Sequence, residues 1–179
     1  MRFLALLLCA FVVVTPASAA DTVGTKIVKF CQENLEKKVG DGDCYDLAQH
    51  ALKAGGAKPQ FRNPDKPNKG DYVWGELVLL LEATPRGLKP TGKIRDIKPG
   101  DVIQFRDTKW AGVPPSGRGR YSMSFSHHTA VVSGVAANGL LLGILHQNYR
   151  GQKKVLSGTL KLADLKEGWI RIYRPVAGR

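Results

Sequence analysis

The spacing of apolar residues changes near residue 97, and this change limits the folds available to the chain. Before it, residues 25–39 and 44–54 have the spacing of amphipathic helices. After it, short apolar runs of strand length recur between turn residues. Two helices followed by about five strands predict an α+β fold, in which the amino-terminal helices pack on a roughly five-stranded antiparallel sheet. The run 77–81 is too short to distinguish a strand from a buried helix.

The first 20 residues have the pattern of a secretory signal. Arg2 precedes an apolar run from Phe3 to Val14, and the small residues 17–19 resemble a cleavage site. The apolar run is shorter than the roughly 20 residues that a bilayer span needs. We therefore predict removal of residues 1–20, export to the periplasm or the medium, and one soluble domain without a membrane span over residues 21–179.

The chain is strongly basic, with a formal net charge of +12. Such a charge favours acidic partners. The basic residues are scattered rather than striped, and export separates the protein from nucleic acid, so an anionic wall polymer or a peptide is the expected partner. Alternatively, surface lysines serve only to keep a monomer in solution.

Two cysteines lie beyond the predicted signal, and an exported protein could join them in a disulfide. Cys31 falls on the apolar stripe of the first helix, where a buried cysteine behaves as a small hydrophobe. Cys44 lies in the first turn of the second helix, where the helix dipole favours a thiolate. The carboxylates of Asp43 and Asp46 act in the opposite direction and raise a thiol pKa. A disulfide and a nucleophile therefore both remain possible for Cys44.

Cysteine catalysis also needs an imidazole base and a polar group that orients it. His127 and His128 are neighbours on a predicted strand, so their side chains point to opposite faces. A three- or five-residue hairpin loop brings His146 opposite His128, whereas a two-residue Asn138-Gly139 turn separates them. Asn148 shares a face with His146, so either residue could orient His128. A zinc site built from the three histidines is a further alternative without an identified fourth ligand.

A long segment rich in Gly, Pro and Ser, residues 107–126, leads directly to these histidines and is predicted to be a loop beside a site. Aromatic side chains in and before it are candidates for stacking on a substrate, with local packing as the alternative. These residues are Tyr72, Trp74, Trp110 and Tyr121.

Four short motifs in this order resemble the papain-like CHAP and NlpC-type peptidases and amidases. They also resemble the cysteine-proteinase-fold domain at the end of some fungal actin-patch proteins. The motifs are DCYDLA at 43–48, KPGDVI at 98–103, HTAVV at 128–132 and HQNY at 146–149. The resemblance implies a papain-like fold, with Cys44 as nucleophile, His128 as base and His146 as orienting group. It also implies supporting roles for Asn148 and Asp43.

The function that the resemblance implies is an exported cysteine hydrolase. Such an enzyme would cleave amide bonds in peptidoglycan or another wall component through a thiolate acyl-enzyme, without a metal or other cofactor. Papain-like folds also occur as binding modules that retain a catalytic-looking arrangement. The acidic surroundings of Cys44 favour this alternative, a noncatalytic binding or scaffold module for an anionic wall polymer or a protein.

Overall fold

The computed structural model describes residues 22–59, 61–62, 71–114 and 116–178. The predicted signal at 1–20 lies outside these residues. Two helices come first, α1 (Val23–Glu33) and α2 (Cys44–Ala54). None of the helices in the described ranges combines the length and apolar character that a bilayer span requires. The strands that follow are β1 (Phe61–Arg62), β2 (Tyr72–Val73), β3 (Glu76–Thr84), β4 (Gly87–Gly92), β5 (Val102–Gly112), β6 (Tyr121–Val135), β7 (Leu141–His146), β8 (Leu156–Lys161) and β9 (Leu165–Arg174).

Seven of these strands form one antiparallel sheet in the order β4-β3-β9-β5-β6-β7-β8, and β1 pairs separately with β2. The predicted α+β class is confirmed, but the prediction of about five strands was wrong. The two additional strands are β3, which contains the run 77–81 that was left undecided between strand and helix, and β4, which was not predicted. In β3 only Leu79 and Leu81 are well buried, so an unbroken apolar run conceals an alternation of buried and partly exposed residues. The sheet-edge strand β4 has almost no apolar residues to mark it.

The segment 107–126 is mostly strand, which corrects the prediction of a long loop. β5 continues to Gly112 and β6 begins at Tyr121, so the connection covers only residues 113–120. Ser122, Ser124 and Ser126 are exposed and alternate with more buried neighbours, as on the solvent side of a strand. Their composition suggested a loop because serine is also a common turn residue.

The helices pack on one side of the sheet, as predicted. Ile27 and Cys31 of α1 and Leu47 of α2 are buried against the sheet residues Val131 and Leu145. Complete burial of a leucine side chain contributes about 2 kcal/mol to stability. A second core on the other side of the sheet includes the aromatic residues Phe105, Trp110 and Phe125, together with Ala130 and Val132 of β6. Neighbouring residues of β6 therefore belong to different cores.

The KPGDVI motif fixes α1 against the sheet. Gly100 has φ +91, and a Cβ built there would lie 2.3 Å from the Cα of Gly24 in α1. Asp101 accepts a hydrogen bond from the Lys98 backbone at 2.8 Å and another from the Arg174 guanidinium at 2.9 Å. The turn thus combines a close backbone approach, which only glycine allows, with a buried carboxylate that links it to β9.

Candidate active site

Cys44 occupies the first position of α2, as predicted, because the preceding turn is closed by hydrogen bonds. The Asp46 carboxylate accepts from the backbone N–H of Asp41 at 2.9 Å and from that of Asp43 at 3.4 Å. The carbonyl of Asp43 accepts from Leu47 at 3.3 Å and so begins the helix. The local sequence therefore determines the backbone around the thiol.

A buried amide holds this turn against the end of β7. Gln147 donates from Nε2 to the carbonyls of Val39 and Asp43, both at 2.9 Å, and its Oε1 accepts from the Val39 N–H at 2.8 Å. Asn148 donates from Nδ2 to Asp43 Oδ1 at 3.1 Å, which joins the two residues predicted to support the site. Gln147 belongs to the HQNY motif, but no role was predicted for it from the sequence.

Replacement of Gln147 by Ala should destabilise the protein. The change leaves the buried Val39 N–H without a partner and removes one of the two hydrogen bonds to each of the Val39 and Asp43 carbonyls, so the free energy of unfolding should fall by about 2 kcal/mol. Asn148→Gly is the matched control, because it removes one exposed hydrogen bond at a residue with φ +64 and should cost less than about 1 kcal/mol. Urea denaturation followed by circular dichroism measures both, and equal losses would contradict the role given to Gln147.

His128 and His146 meet, which answers the question that the hairpin register left open. Residues 136–140 connect β6 to β7, and the pairing shifts between Val132 and Gly134. As a result His146 lies opposite Ala130, two residues from His128 and on the same face. His128 Nε2 and His146 Nδ1 are 2.9 Å apart and share a hydrogen bond.

The two imidazoles lie in an aromatic environment that keeps them neutral. His128 is 3% exposed and stacks on Phe125, with ring centroids 4.7 Å apart. Burial, followed by the proximity of His146 and His127, lowers the pKa of His128 to about 3. Burial also lowers the pKa of His146 to about 4. Neither ring carries a positive charge at neutral pH.

The Cys44 thiol lies beside Thr129, which lowers its pKa. Both the backbone and the hydroxyl of Thr129 contact it, and across the ranges that the structure describes no hydrogen bond joins it to His128 or His146. Thr129 lies one residue beyond the last β6-β7 pair, Ala130 with His146, so the thiol sits where the strands separate. Thr129 is a site residue that was not predicted from the sequence.

The environment of Cys44 favours the protonated thiol. Burial is the main effect that raises its pKa above the ordinary value of 9.0, and the Asp43 carboxylate adds to it. Hydrogen bonds with Thr129 and the Tyr45 backbone lower the pKa but do not cancel the rise. Cys31 and Cys44 are both free thiols, and burial raises the pKa of Cys31 to about 12. The disulfide between Cys31 and Cys44 that the sequence left possible is therefore not formed.

The aromatic residues predicted to stack on a substrate are not equivalent in the structure. Trp74 is 1% exposed and donates from Nε1 to Gln104 Oε1 at 2.9 Å, and Trp110 is completely buried, so neither ring is open to a ligand. Their assignment as substrate-binding residues was wrong, because large aromatic rings supply much of the core. Tyr72 is half-buried, and half-buried Tyr121 donates to Asp164 Oδ2 at 2.9 Å.

The three histidines proposed as an alternative zinc site do not form a cluster. His127 lies away from the His128 and His146 pair, with its ring centroid 6.5 Å from that of Tyr72 and its Nε2 3.3 Å from Gln104 Nε2. Within the described ranges no group of three or more His, Cys, Asp or Glu side chains could hold a metal ion.

A cysteine at a helix start, packed against two neighbouring strands that each carry one histidine of a buried pair, defines the class of cysteine-proteinase-fold domains. Within this class, the chain belongs to the AIM3/BBC1 cysteine proteinase-fold domain family, whose model matches residues 17–179. This match confirms the resemblance that the four motifs indicated. It does not support the narrower CHAP assignment.

Two fungal proteins contain similar sequences. The chain is 27% identical over 161 residues to the altered inheritance of mitochondria protein 3 of Debaryomyces hansenii. It is 31% identical over 153 residues to an SH3 domain-containing protein of Schizosaccharomyces pombe. The matches include 86% and 84% of this chain but only 16% and 9% of the two relatives.

Two solved structures of Ly7917 are also similar. One has a TM-score of 0.48 at 18% identity and covers 88% of this chain and 63% of that one. The other, Ly7917 with the hydrolyzing product of MDP, has a TM-score of 0.49 at 16% identity and covers 85% of this chain and 62% of that one.

The prediction of export to the periplasm or medium was wrong. Both relatives are yeast proteins, one named for mitochondrial inheritance and the other for its SH3 domain, and they point away from an exported protein. The family match also begins at residue 17, inside the segment predicted to be a cleaved signal. The predicted cleavage of peptidoglycan required an exported protein, so it loses its support together with the prediction of export.

Proposed function

We propose that this chain is a noncatalytic binding or scaffold module built on the cysteine-proteinase fold. The observation that supports this most directly is the environment of the Cys44 thiol: burial and the Asp43 carboxylate raise its pKa, and within the described residues no hydrogen bond joins it to His128 or His146. The net charge of +12 favours an anionic partner. The residues that match the papain-like motifs then hold the start of α2 against the sheet and do not catalyse the cleavage of a substrate.

The energetics of proton transfer agree with this function. Nucleophilic attack by cysteine requires a thiolate, which His128 would have to generate. Burial raises the pKa of Cys44 above 9.0 and lowers that of His128 to about 3, so transfer of the thiol proton to the imidazole is strongly unfavourable. A resting thiol beside a neutral imidazole is therefore the stable state.

A cysteine peptidase or amidase is the second candidate. It is favoured by the hydrogen bond between His128 Nε2 and His146 Nδ1, because this bond orients His128 and leaves its Nδ1 for a thiol. For hydrolysis, Cys44 would have to exchange Thr129 for His128 as its partner. Its backbone N–H at the helix start could then stabilise an oxyanion.

Alkylation of Cys44 by iodoacetamide as a function of pH distinguishes the two functions. The native protein is labelled without reductant, and each cysteine is quantified by mass spectrometry. For the binding module we expect a midpoint above the roughly 8.5 of a free thiol, because burial and Asp43 raise the Cys44 pKa. The rate at pH 7 should be below that of free cysteine.

Cys31 is the internal control for this measurement. Its thiol is completely buried, so it should remain unlabelled while the protein is folded. Rapid labelling of Cys44 with a midpoint well below 8.5 would overturn the proposal and favour the hydrolase. Simultaneous labelling of both cysteines would report unfolding, and the measurement would then be repeated at lower temperature.

A further inference from the structure

The amino-terminal half of β6 has an unpaired edge. β6 pairs with β5 from Tyr121 to Val131, but β7 pairs with it only from Ala130 onward. In the part of the chain that the structure describes, no strand therefore lies beside residues 121–129 on that side. An unpaired strand edge presents backbone donors and acceptors that an extended peptide can use.

A cleft of about 400 Å³ follows this edge. One wall consists of the consecutive residues 122–128, and the other consists of residues 148–150. Consecutive strand residues point to alternate faces, so a cleft that they all line runs along the backbone rather than over one face. Small serines alternate along this wall, without the Lys or Pro residues that commonly block exposed edges.

The charge around the cleft is positive. Arg150 is exposed, and its guanidinium lies over the Tyr149 ring at 5.3 Å from the centroid. Arg118 and Arg120, both exposed, come shortly before β6. Among the described residues that line the cleft there is no carboxylate. Along this lining a ligand that carries carboxylates would meet a cation and hydroxyl donors. The Asp43 carboxylate accepts from Asn148 at 3.1 Å but does not line the cleft.

The backbone of the second wall is held in an unusual conformation. Asn148 and Arg150 have φ +64 and +51, two of the four positive φ values at non-glycine residues in the described ranges. The hydrogen bond from Asn148 to Asp43 fixes one end of this turn, and the Tyr149-Gln152 bridge closes it. The turn therefore presents Arg150 at the cleft in a defined position.

We propose that this cleft is a docking site in which an extended acidic segment of a protein partner adds as a strand to the free edge of β6. Arg150 binds a carboxylate of that segment. The inference rests on the proposed binding-module function and names its ligand class. Main-chain hydrogen bonds provide affinity in this mode, and side-chain contacts provide specificity.

Fluorescence anisotropy with a fluorescein-labelled peptide of alternating threonine and glutamate tests the site. We expect saturable binding to the full chain. The same peptide with alternate backbone amides N-methylated should bind at least about tenfold more weakly, because methylation removes the strand hydrogen bonds. A threonine and lysine peptide should not bind. Equal affinity for the methylated peptide would overturn strand addition.

Arg150→Gln and Arg86→Gln form a matched pair for the charge contribution. Arg86 is exposed in the β3-β4 turn and does not line the cleft. We expect Arg150→Gln to weaken binding of the glutamate peptide about tenfold and Arg86→Gln to change it less than about twofold. Equal losses would show general attraction to a basic protein and would overturn the site.

Two further outcomes separate this site from the proposed function. Failure of the glutamate peptide to bind, with Cys44 still slow to alkylate, would overturn the docking site and leave the noncatalytic module intact. Rapid alkylation of Cys44 together with peptide binding would overturn the noncatalytic module and leave the docking site intact. Dimerisation through this edge, measured by sedimentation and not displaced by peptide, would identify a second copy as the occupant and overturn the acidic partner.

Discussion

Lowering the pH from about 7 to about 5 should reduce the free energy of unfolding by about 4 kcal/mol. The cause is the buried pair of His128 and His146, whose pKa values fall from the ordinary 6.5 to about 3 and about 4 in the folded protein. Below pH 6.5 the unfolded chain binds protons that the folded protein does not. The stability that the neutral pair contributes is therefore present above pH 6.5 and is lost as the pH falls towards 3.

Urea denaturation at several pH values measures this loss. A typical domain has only about 5–15 kcal/mol of stability, so a large part of it should disappear before most carboxylates titrate. His128→Phe should reduce the pH dependence, because the ring is replaced by an apolar one in a pocket lined by Phe105 and Phe125. His50→Ala, at an exposed position, is the control and should leave the dependence unchanged. A flat stability profile between pH 7 and 5 would contradict the burial of the pair.

Gly100→Ala should destabilise the protein by about 4 kcal/mol, near the upper limit for a single substitution. The new Cβ would lie 2.3 Å from the Cα of Gly24 and 2.6 Å from its carbonyl oxygen. Both are backbone atoms of α1, so relief of the clash requires the helix to move away from the sheet. The φ of +91 adds the strain of a left-handed conformation.

Gly87→Ala is the control that separates crowding from backbone strain. Gly87 has φ +108 and no heavy atom within 4 Å of a built Cβ, so only the strain remains and the loss should be about 1 kcal/mol. Thermal unfolding and urea denaturation of the two variants give the comparison. Similar losses at both positions would mean that the contact between Gly100 and α1 is more adaptable than its geometry indicates.

Much of the secondary structure could be predicted from local sequence. α2 begins at Cys44 and ends at Ala54 as predicted, because an Asp-rich turn precedes it and the Gly55-Gly56 pair follows it. The five predicted strands are all present, since each has its own apolar run and turn residues. β3 was left undecided between strand and buried helix, and β4 was not predicted, because their signals depend on neighbours. Leu79 and Leu81 are distinguished from the rest of their run only by which side of the sheet is covered.

The sequence by itself determined the types of residue at the site and the local structure that carries each one. It placed Cys44 at a helix start and His128 and His146 on strands, because capping, periodicity and turn chemistry act over a few residues. Only the tertiary structure decided which of these groups meet. The pairing shift between Val132 and Gly134 brings the histidines together, and the separation of β6 from β7 directs the thiol to Thr129. Both depend on register between distant segments, where a displacement of one residue reverses the face of every side chain.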